Sequence, residues 1–426
     1  MLTVFNQSLW GDEGFSAILS MKSVKDIVSI VAHDTSPPLF NLSEHFWFKM
    51  FGTSEVAVRA LVFIYFLIAV FFTYKIGKHL WNKKVGLIAA VLTFLNTFLF
   101  VYGFEGRMYS LLLATVTASF YFFIKKGWVG YVVATTLALY SHHFAIFAVF
   151  VQGLWFLKEF FWGKKQDAIS ILKSFIVIVV LYSPWLIPLY KQTGMVAGGF
   201  WLAKPNLKDL WMLVAKYVSF GIALLILRNW AKKFGKASLF VAWFLIPILL
   251  TWLVSQKFQA IFFDRYLLYT IPAAMLLAAS GMRTISKIVF VIVVALYLSA
   301  DFIYFTHPAK IPFKDLAIYV KQTQIKGDLI INEDAGNHKL WESKYYGIPA
   351  PIYNPNGEKL PFFVGTALME KSDFISQIPP DTKRMGVITY KNGVELKERF
   401  KTFTPKEEKK FGNLNFVWMV KKISPF

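Results

Sequence analysis

Apolar runs of membrane-spanning length recur along most of the chain. They cover 57–78, 85–102, 109–124, 128–141, 143–160, 168–189, 210–228, 237–255, 266–282 and 285–305. A span needs about 20 mostly apolar residues, so the pattern predicts roughly ten membrane helices. The run at 128–141 is short. Either it continues past Ser141-His142-His143, which lowers the count by one, or the helix is broken there. Beyond about residue 306 the pattern changes to a polar tail rich in Lys and Glu. There 313–322 reads as a helix, and 328–332, 385–390 and 415–421 read as strands. The expected architecture is an all-α polytopic membrane bundle at 57–305 with a small extracytoplasmic α/β domain at 306–426. Ahead of the bundle, 1–56 reads as an extracytoplasmic loop ending in an interfacial helix at 39–50, whose Phe, Trp and Met residues suit a membrane surface.

Charge then orients the spans. Every second loop is basic: Lys78, Lys83 and Lys84; Lys125 and Lys126; Lys158, Lys164 and Lys165; Arg228, Lys232, Lys233 and Lys236; Arg283 and Lys287. Basic loops stay in the cytoplasm. The alternate loops therefore lie outside, with the N-terminal segment and the tail, in a multi-pass protein of the cell membrane. No cleavable signal peptide opens the chain. A chain that starts outside predicts a further span ahead of Met1.

Composition agrees and removes several classes. The chain is 56% hydrophobic and 17% charged, with a mean hydropathy of +0.50, so one water-soluble core could not hide its apolar surface. The net charge of +21 is spread over short loops rather than gathered on one polar domain, which argues against nucleic acid as a partner. The absence of cysteine excludes disulfides, thiolate metal sites and cysteine nucleophiles.

The chemically capable residues gather on the predicted outer side. Asp12 and Glu13 stand between glycines in Trp10-Gly11-Asp12-Glu13-Gly14. Adjacent side chains point in different directions on any regular backbone, so the two carboxylates are either a solvated pair or have separate jobs. His33 and Asp34 precede Pro37-Pro38, a stiff extended turn. Arg59 enters a predicted span, where it either snorkels or pairs with a loop carboxylate. Glu105 and Arg107 sit two apart between apolar runs. They are either a satisfied interfacial pair or, since such neighbours do not face each other on a helix, hold separate partners: a phosphate for Arg107, a hydroxyl or cation for Glu105. His142 and His143 form another outer turn. Arg265, in Asp264-Arg265-Tyr266, puts a cation at the outer end of a span, as anion binding would require. An outward-facing site of carboxylates, histidines and arginines at the lipid boundary suits a lipid-linked phosphate substrate.

Several of these segments, in this order, resemble the GT-C glycosyltransferases, specifically the protein O-mannosyltransferase and aminoarabinose-transferase group. They are Leu9-Trp10-Gly11-Asp12-Glu13, His33 to Leu39, Phe51-Gly52-Thr53-Ser54-Glu55 through Arg59, Glu105-Gly106-Arg107-Met108-Tyr109-Ser110 and Leu139-Tyr140-Ser141-His142-His143. Asp264-Arg265-Tyr266 and Lys314-Asp315 match more weakly. The resemblance implies a GT-C membrane bundle that moves a hexose or pentose from a polyprenyl-phosphate donor to a hydroxyl of a protein, lipid or glycan acceptor, with inversion. It makes Asp12 the candidate base, with Glu13 supporting it or binding the acceptor. Arg107 and Arg265 become candidates for the leaving phosphate, since a guanidinium can bond it through two N–H groups. Glu105 and Tyr109 complete the pocket, and His142 contacts phosphate or a metal. Asp, Glu and His near one surface could host Mg²⁺, Mn²⁺ or Zn²⁺, but no fixed ligand spacing selects one. An O-antigen ligase or polymerase is the rival enzyme, and would carry its key arginines in a large late loop. A transporter or flippase is the rival of another class, and would place ionisable groups near the bilayer midplane on repeated halves. A catalytically dead scaffold is the third.

Overall fold

The computed structural model describes residues 3–218, 234–281 and 287–422. The N-terminal segment 3–54 is largely helical. It folds into three helices, α1 (Gly11–Ser20), α2 (Val24–Val31) and α3 (Leu39–Phe51). Ser23 caps α2 by accepting the Asp26 N–H. The second half of α3 exposes Phe46, Met50 and Phe51. What hid α1 is its pair of glycines, which are poor helix formers.

Among the described residues each predicted apolar run falls mainly on helix, but the runs are not ten uniform rods. The series continues with α4 (Glu55–Leu80), α5 (Lys83–Phe94), α6 (Thr97–Tyr102), α7 (Tyr109–Lys125), α8 (Trp128–Ser141), α9 (Ala145–Trp162), α10 (Lys165–Tyr182), α11 (Leu186–Ala197) and α12 (Leu207–Tyr217). It ends with α13 (Phe234–Lys257), α14 (Asp264–Leu267), α15 (Ile271–Gly281) and α16 (Lys287–Thr306). Among the described residues, four helical stretches are long and apolar enough to cross a membrane alone: Glu55–Leu80, Ala145–Trp162, Lys165–Ala197 and Ala237–Lys257. The run at 85–102 is broken because Asn96 starts a new helix, its Oδ1 accepting the Leu99 N–H and its Nδ2 donating to the Tyr217 carbonyl. The ambiguity at 141–143 resolves as a break, since His142 is extended between α8 and α9. The second half of the 210–228 run, with Arg228, Lys232, Lys233 and Arg283 of the basic loops, lies outside the described residues.

The helices pack α4 against α5 and α7, α7 against α8, and α15 against α5. Their outer faces stay apolar and exposed: Ile64, Leu67 and Phe71 on α4, Ile176, Val179 and Val180 on α10. A patch of that extent needs lipid to cover it. The α4–α5 contact is backbone on backbone. A Cβ on Gly86 would stand 2.6 Å from the Tyr74 carbonyl oxygen, and one on Gly77 2.7 Å from the Gly86 Cα.

The tail follows as α17 (Phe313–Thr323), β1 (Leu329–Asn332), α18 (Leu340–Tyr345), β2 (Ile352–Tyr353), β3 (Phe374–Ile375), β4 (Arg384–Thr389), α19 (Gly393–Arg399), β5 (Phe403–Phe411) and β6 (Leu414–Lys421). The strands form one sheet in the order β3-β2-β1-β4-β6-β5, parallel as far as β4 and antiparallel beyond. The three predicted strands are β1, β4 and β6. The charged β5 escaped pattern reading because it is an edge strand, where lysines and a proline protect the open side.

Gly86→Ala is expected to lower stability by about 1–3 kcal/mol through overpacking, read as a drop in melting temperature of the detergent-solubilised protein.

Candidate active site

Asp12 and Glu13 share the first turn of α1 and diverge by about 100° around it. Glu13 turns inward and is fully buried. Its Oε2 lies 3.0 Å from Arg59 Nη2 and 2.8 Å from Lys310 Nζ. Its Oε1 accepts the Gly106 N–H at 2.8 Å, and the Trp10 N–H donates to Oε2 at 3.3 Å. The same Lys310 reaches Glu105 Oε2 at 3.1 Å, and Glu105 Oε1 accepts the Trp10 indole N–H at 3.0 Å. Two carboxylates and two cations thus form a largely buried quartet, with Lys310 partly exposed, that joins α1, α4, the loop before α7 and the start of the tail.

Burial alone would raise the Glu13 pKa. Lys310, Arg59 and the bonds they make outweigh it and hold the carboxyl below its ordinary 4.5. Glu105 shares Lys310 with Glu13, so burial dominates there and its pKa is raised. Both Glu13 oxygens are thus engaged by groups of the chain itself. Arg59 pairs with a carboxylate instead of snorkelling, and also donates to the carbonyls of Phe5, Gln7 and Ser8. The expected cation for Glu105 is Lys310 of the chain itself.

Asp12 points the other way. Its side chain is 35% exposed and its Oδ2 lies 3.1 Å from Arg265 Nη1. Arg107 Nη1 donates to the Asp12 carbonyl at 3.3 Å and to Ser16 Oγ at 2.6 Å. The Nε atoms of Arg107 and Arg265 are both buried and have no hydrogen-bond partner. Burial works against the charge on both arginines, but Asp12 and Tyr109 outweigh it and raise their pKa values. The Arg265 guanidinium lies 5.4 Å from the Tyr109 ring centre and 5.9 Å from that of Trp10. Tyr109 is buried and faces Tyr266 and His142.

Burial, then His143 and the two arginines, push the His142 pKa well down. Its Nδ1 accepts the Phe144 N–H at 3.1 Å, so the neutral ring carries its proton on Nε2. Asp34 is buried with its pKa raised by desolvation, against the pull of Arg107. Two expected residues are not brought in. His33 is exposed and its ring bonds back to the Ser29 carbonyl of the helix that precedes it. His143 turns to Gln192 Oε1 at 2.8 Å. Among the described residues no group of three or more His, Asp or Glu is placed to hold a metal ion. Lys310 and Arg265 bond the carboxylates of Glu13, Glu105 and Asp12.

Sequence reading missed Lys310 and Trp10. The signal for Lys310 was a lysine held between Pro308 and Pro312 just after the last apolar run. Nothing local links it to a carboxylate some 300 positions earlier.

Over 97% of this chain and 94% of the other, the structure matches ArnT from Cupriavidus metallidurans in the apo state, with a TM-score of 0.71 and 13% identity. This chain has the GT-C fold. ArnT of the same organism bound to undecaprenyl phosphate matches at a TM-score of 0.67 and 12% identity, over 97% and 96% of the two chains. Residues 35–188 match the family described as dolichyl-phosphate-mannose-protein mannosyltransferase. No curated protein sequence matches the chain. The expected membrane bundle with a small C-terminal sheet is therefore the GT-C architecture. The family match takes in Arg59, Arg107, Tyr109 and His142, while Asp12 and Arg265 are joined to them by the GT-C fold.

Arg59→Met leaves the Glu13 charge short of a partner, and breaking a buried pair costs about 3–5 kcal/mol. The Glu13→Gln/Arg59→Met double variant is expected to lose less than the sum of the singles, measured by a double-mutant cycle of thermal melts. Because the folded pKa of Glu13 is lowered, its stabilisation is present at neutral pH. The advantage of wild type over Glu13→Gln is then lost as pH falls below 4.5 through the folded value.

Proposed function

We propose that this chain is an integral membrane glycosyltransferase. It moves a hexose or pentose from a polyprenyl-phosphate donor to a hydroxyl on a protein, lipid or glycan acceptor, on the extracytoplasmic face of the cell membrane. One arrangement carries the reading: Asp12, the most exposed carboxylate of the cluster, stands beside Arg265 and Arg107, each with a buried Nε–H still to be used.

The chemistry follows from that arrangement. The acceptor oxygen attacks the anomeric carbon as the carbon–oxygen bond to phosphate breaks, a single displacement that inverts the centre. The acceptor proton passes to Asp12, acting as general base. Negative charge collects on the departing polyprenyl phosphate, where Arg107 and Arg265 supply preorganised N–H groups. His142 offers its Nε2–H to the same region. Trp10, Tyr109 and Tyr266 give apolar surface for the sugar ring and keep Arg265 in place. The undecaprenyl-phosphate complex of a protein with this fold and the mannosyltransferase family match support a lipid-phosphate donor. A transporter is disfavoured because the cluster is built from helix ends and loops (α1, the α6–α7 and α8–α9 connections, the start of α14) rather than mid-span positions.

Asp12→Asn is expected to lower kcat about 10²–10⁴-fold, the range for a lost general base, in a reconstituted assay with labelled polyprenyl-phosphate sugars. Wild-type activity in that variant would remove Asp12 as base. Arg107→Met and Arg265→Met should each lower kcat by about 10²–10³-fold, as lost transition-state donors do.

The natural absence of cysteine makes orientation directly testable. A membrane-impermeant thiol reagent should label Lys204→Cys and Glu358→Cys on intact cells, and Lys84→Cys and Lys164→Cys only after permeabilisation. The reverse pattern would overturn the orientation.

A further inference from the structure

The tail reaches the base helix through α18. Trp341 packs edge-to-face on Phe15 at 5.2 Å, and its indole N–H donates to the Val364 carbonyl. The backbone of Trp341 passes so close to α1 that a Cβ on Gly14 would stand 3.1 Å from it. Tyr346 ties the same segment down by accepting the Leu9 N–H at 2.9 Å and donating to Glu55 at 3.1 Å. This seat fixes the next side chain, Glu342, against the first turn of α1. Both its carboxylate oxygens lie 3.7 Å from the place a Gly11 Cβ would occupy, one residue before Asp12.

Glu342 is 3% exposed. Its Oε1 pairs with Lys339 Nζ at 3.3 Å, whereas Oε2 is buried with no hydrogen-bond partner. Seating on the tail does not account for such an atom, because the docking is made by Trp341 and Tyr346. A buried polar atom left unpaired costs about 1–3 kcal/mol, which a ligand's N–H or O–H can recover. Gly11 leaves the space of one methyl group between the carboxylate and α1. Lys339, which bounds the carboxylate on the other side, is partly exposed. Burial raises the Glu342 pKa, Lys339 opposes that, and the Asp12 charge adds to it, so the two carboxylates sense one another.

We propose that Glu342 is a specificity-determining residue of the active site, supplied by the tail, whose Oε2 accepts a hydrogen bond from a hydroxyl or ammonium group of the substrate held at Asp12. The inference rests on the glycosyl-transfer reading and extends it. The tail then reads substrate as well as covering the bundle, and a substrate lacking the donor group leaves Oε2 unpaired and binds less well. Discrimination of this kind is large, because the penalty falls on the site and not on the solvent.

The test is a comparison of wild type with Glu342→Gln and Gly11→Ala in the full-length reconstituted protein. The substrates are a polyprenyl-phosphate hexose, its amino-sugar analogue, a threonine peptide and a glycolipid acceptor. Glu342→Gln keeps the shape and is expected to raise one KM about tenfold or more, with kcat within threefold and the melting temperature unchanged. A rise in the donor KM assigns the group to the transferred sugar, and a rise in the acceptor KM assigns it to the acceptor. Gly11→Ala fills the methyl-sized space without a clash and should raise the same KM. Unchanged KM values in an active Glu342→Gln protein, or a fall in melting temperature as its sole effect, would overturn the proposal. A wild type that transfers no sugar would instead overturn the glycosyl-transfer reading, and this inference with it.

Discussion

Lys310 holding Glu13 and Glu105 together is the contact on which the rest of the site depends. It arrives from the far end of the bundle, where the last membrane helix gives way to the tail, and ends beneath Trp10. With Arg59 it balances two carboxylates in surroundings that would otherwise protonate or expel them. Ion pairs out of water hold only when the geometry is good and the remaining lone pairs are satisfied. Here Gly106 and Trp10 complete the acceptor bonding of Glu13 and Glu105. The first turn of α1 is thereby locked, and Asp12, the next side chain round the turn, is aimed at Arg265.

The division of labour between Asp12 and Glu13 follows from helix geometry. One residue step turns the side chain by about 100°, enough to put one carboxylate in a saturated polar core and the other at an open face. Two adjacent acids on one helix turn therefore meet different surroundings, Glu13 between Arg59 and Lys310 and Asp12 beside Arg265. The arginines follow a similar logic. Arg59 is spent on carbonyls and Glu13, while Arg107 and Arg265 hold Asp12 and keep N–H groups in reserve.

Much of this was legible along the chain. The apolar runs marked the helices, because hydrocarbon tolerates little else over that length. The strands β1, β4 and β6 were visible because buried strands are rich in β-branched and aromatic residues. Arg107 and Arg265 stood out as charges crowded against apolar runs, and Asp12 as an acid set between glycines. What failed was whatever depended on a partner distant in sequence. The helix α1 is written over glycines whose reason lies in Trp341 and Glu342. The break at Asn96 is held by the Tyr217 carbonyl. His33 and His143 had the right chemistry in the right segments, yet one bonds back to the helix before it and the other to Gln192.

The sequence by itself determined that the chain is a membrane bundle with a polar tail, since hydrophobic length and loop charge are properties of short segments read one at a time. It also determined which residue types were available to the site. Tertiary structure decided which of them meet. Placing Lys310 between Glu13 and Glu105, turning Asp12 outward to Arg265 and setting Glu342 over Gly11 all require segments hundreds of residues apart to touch. No local pattern encodes those contacts, because each exists only once the helices and the tail have packed.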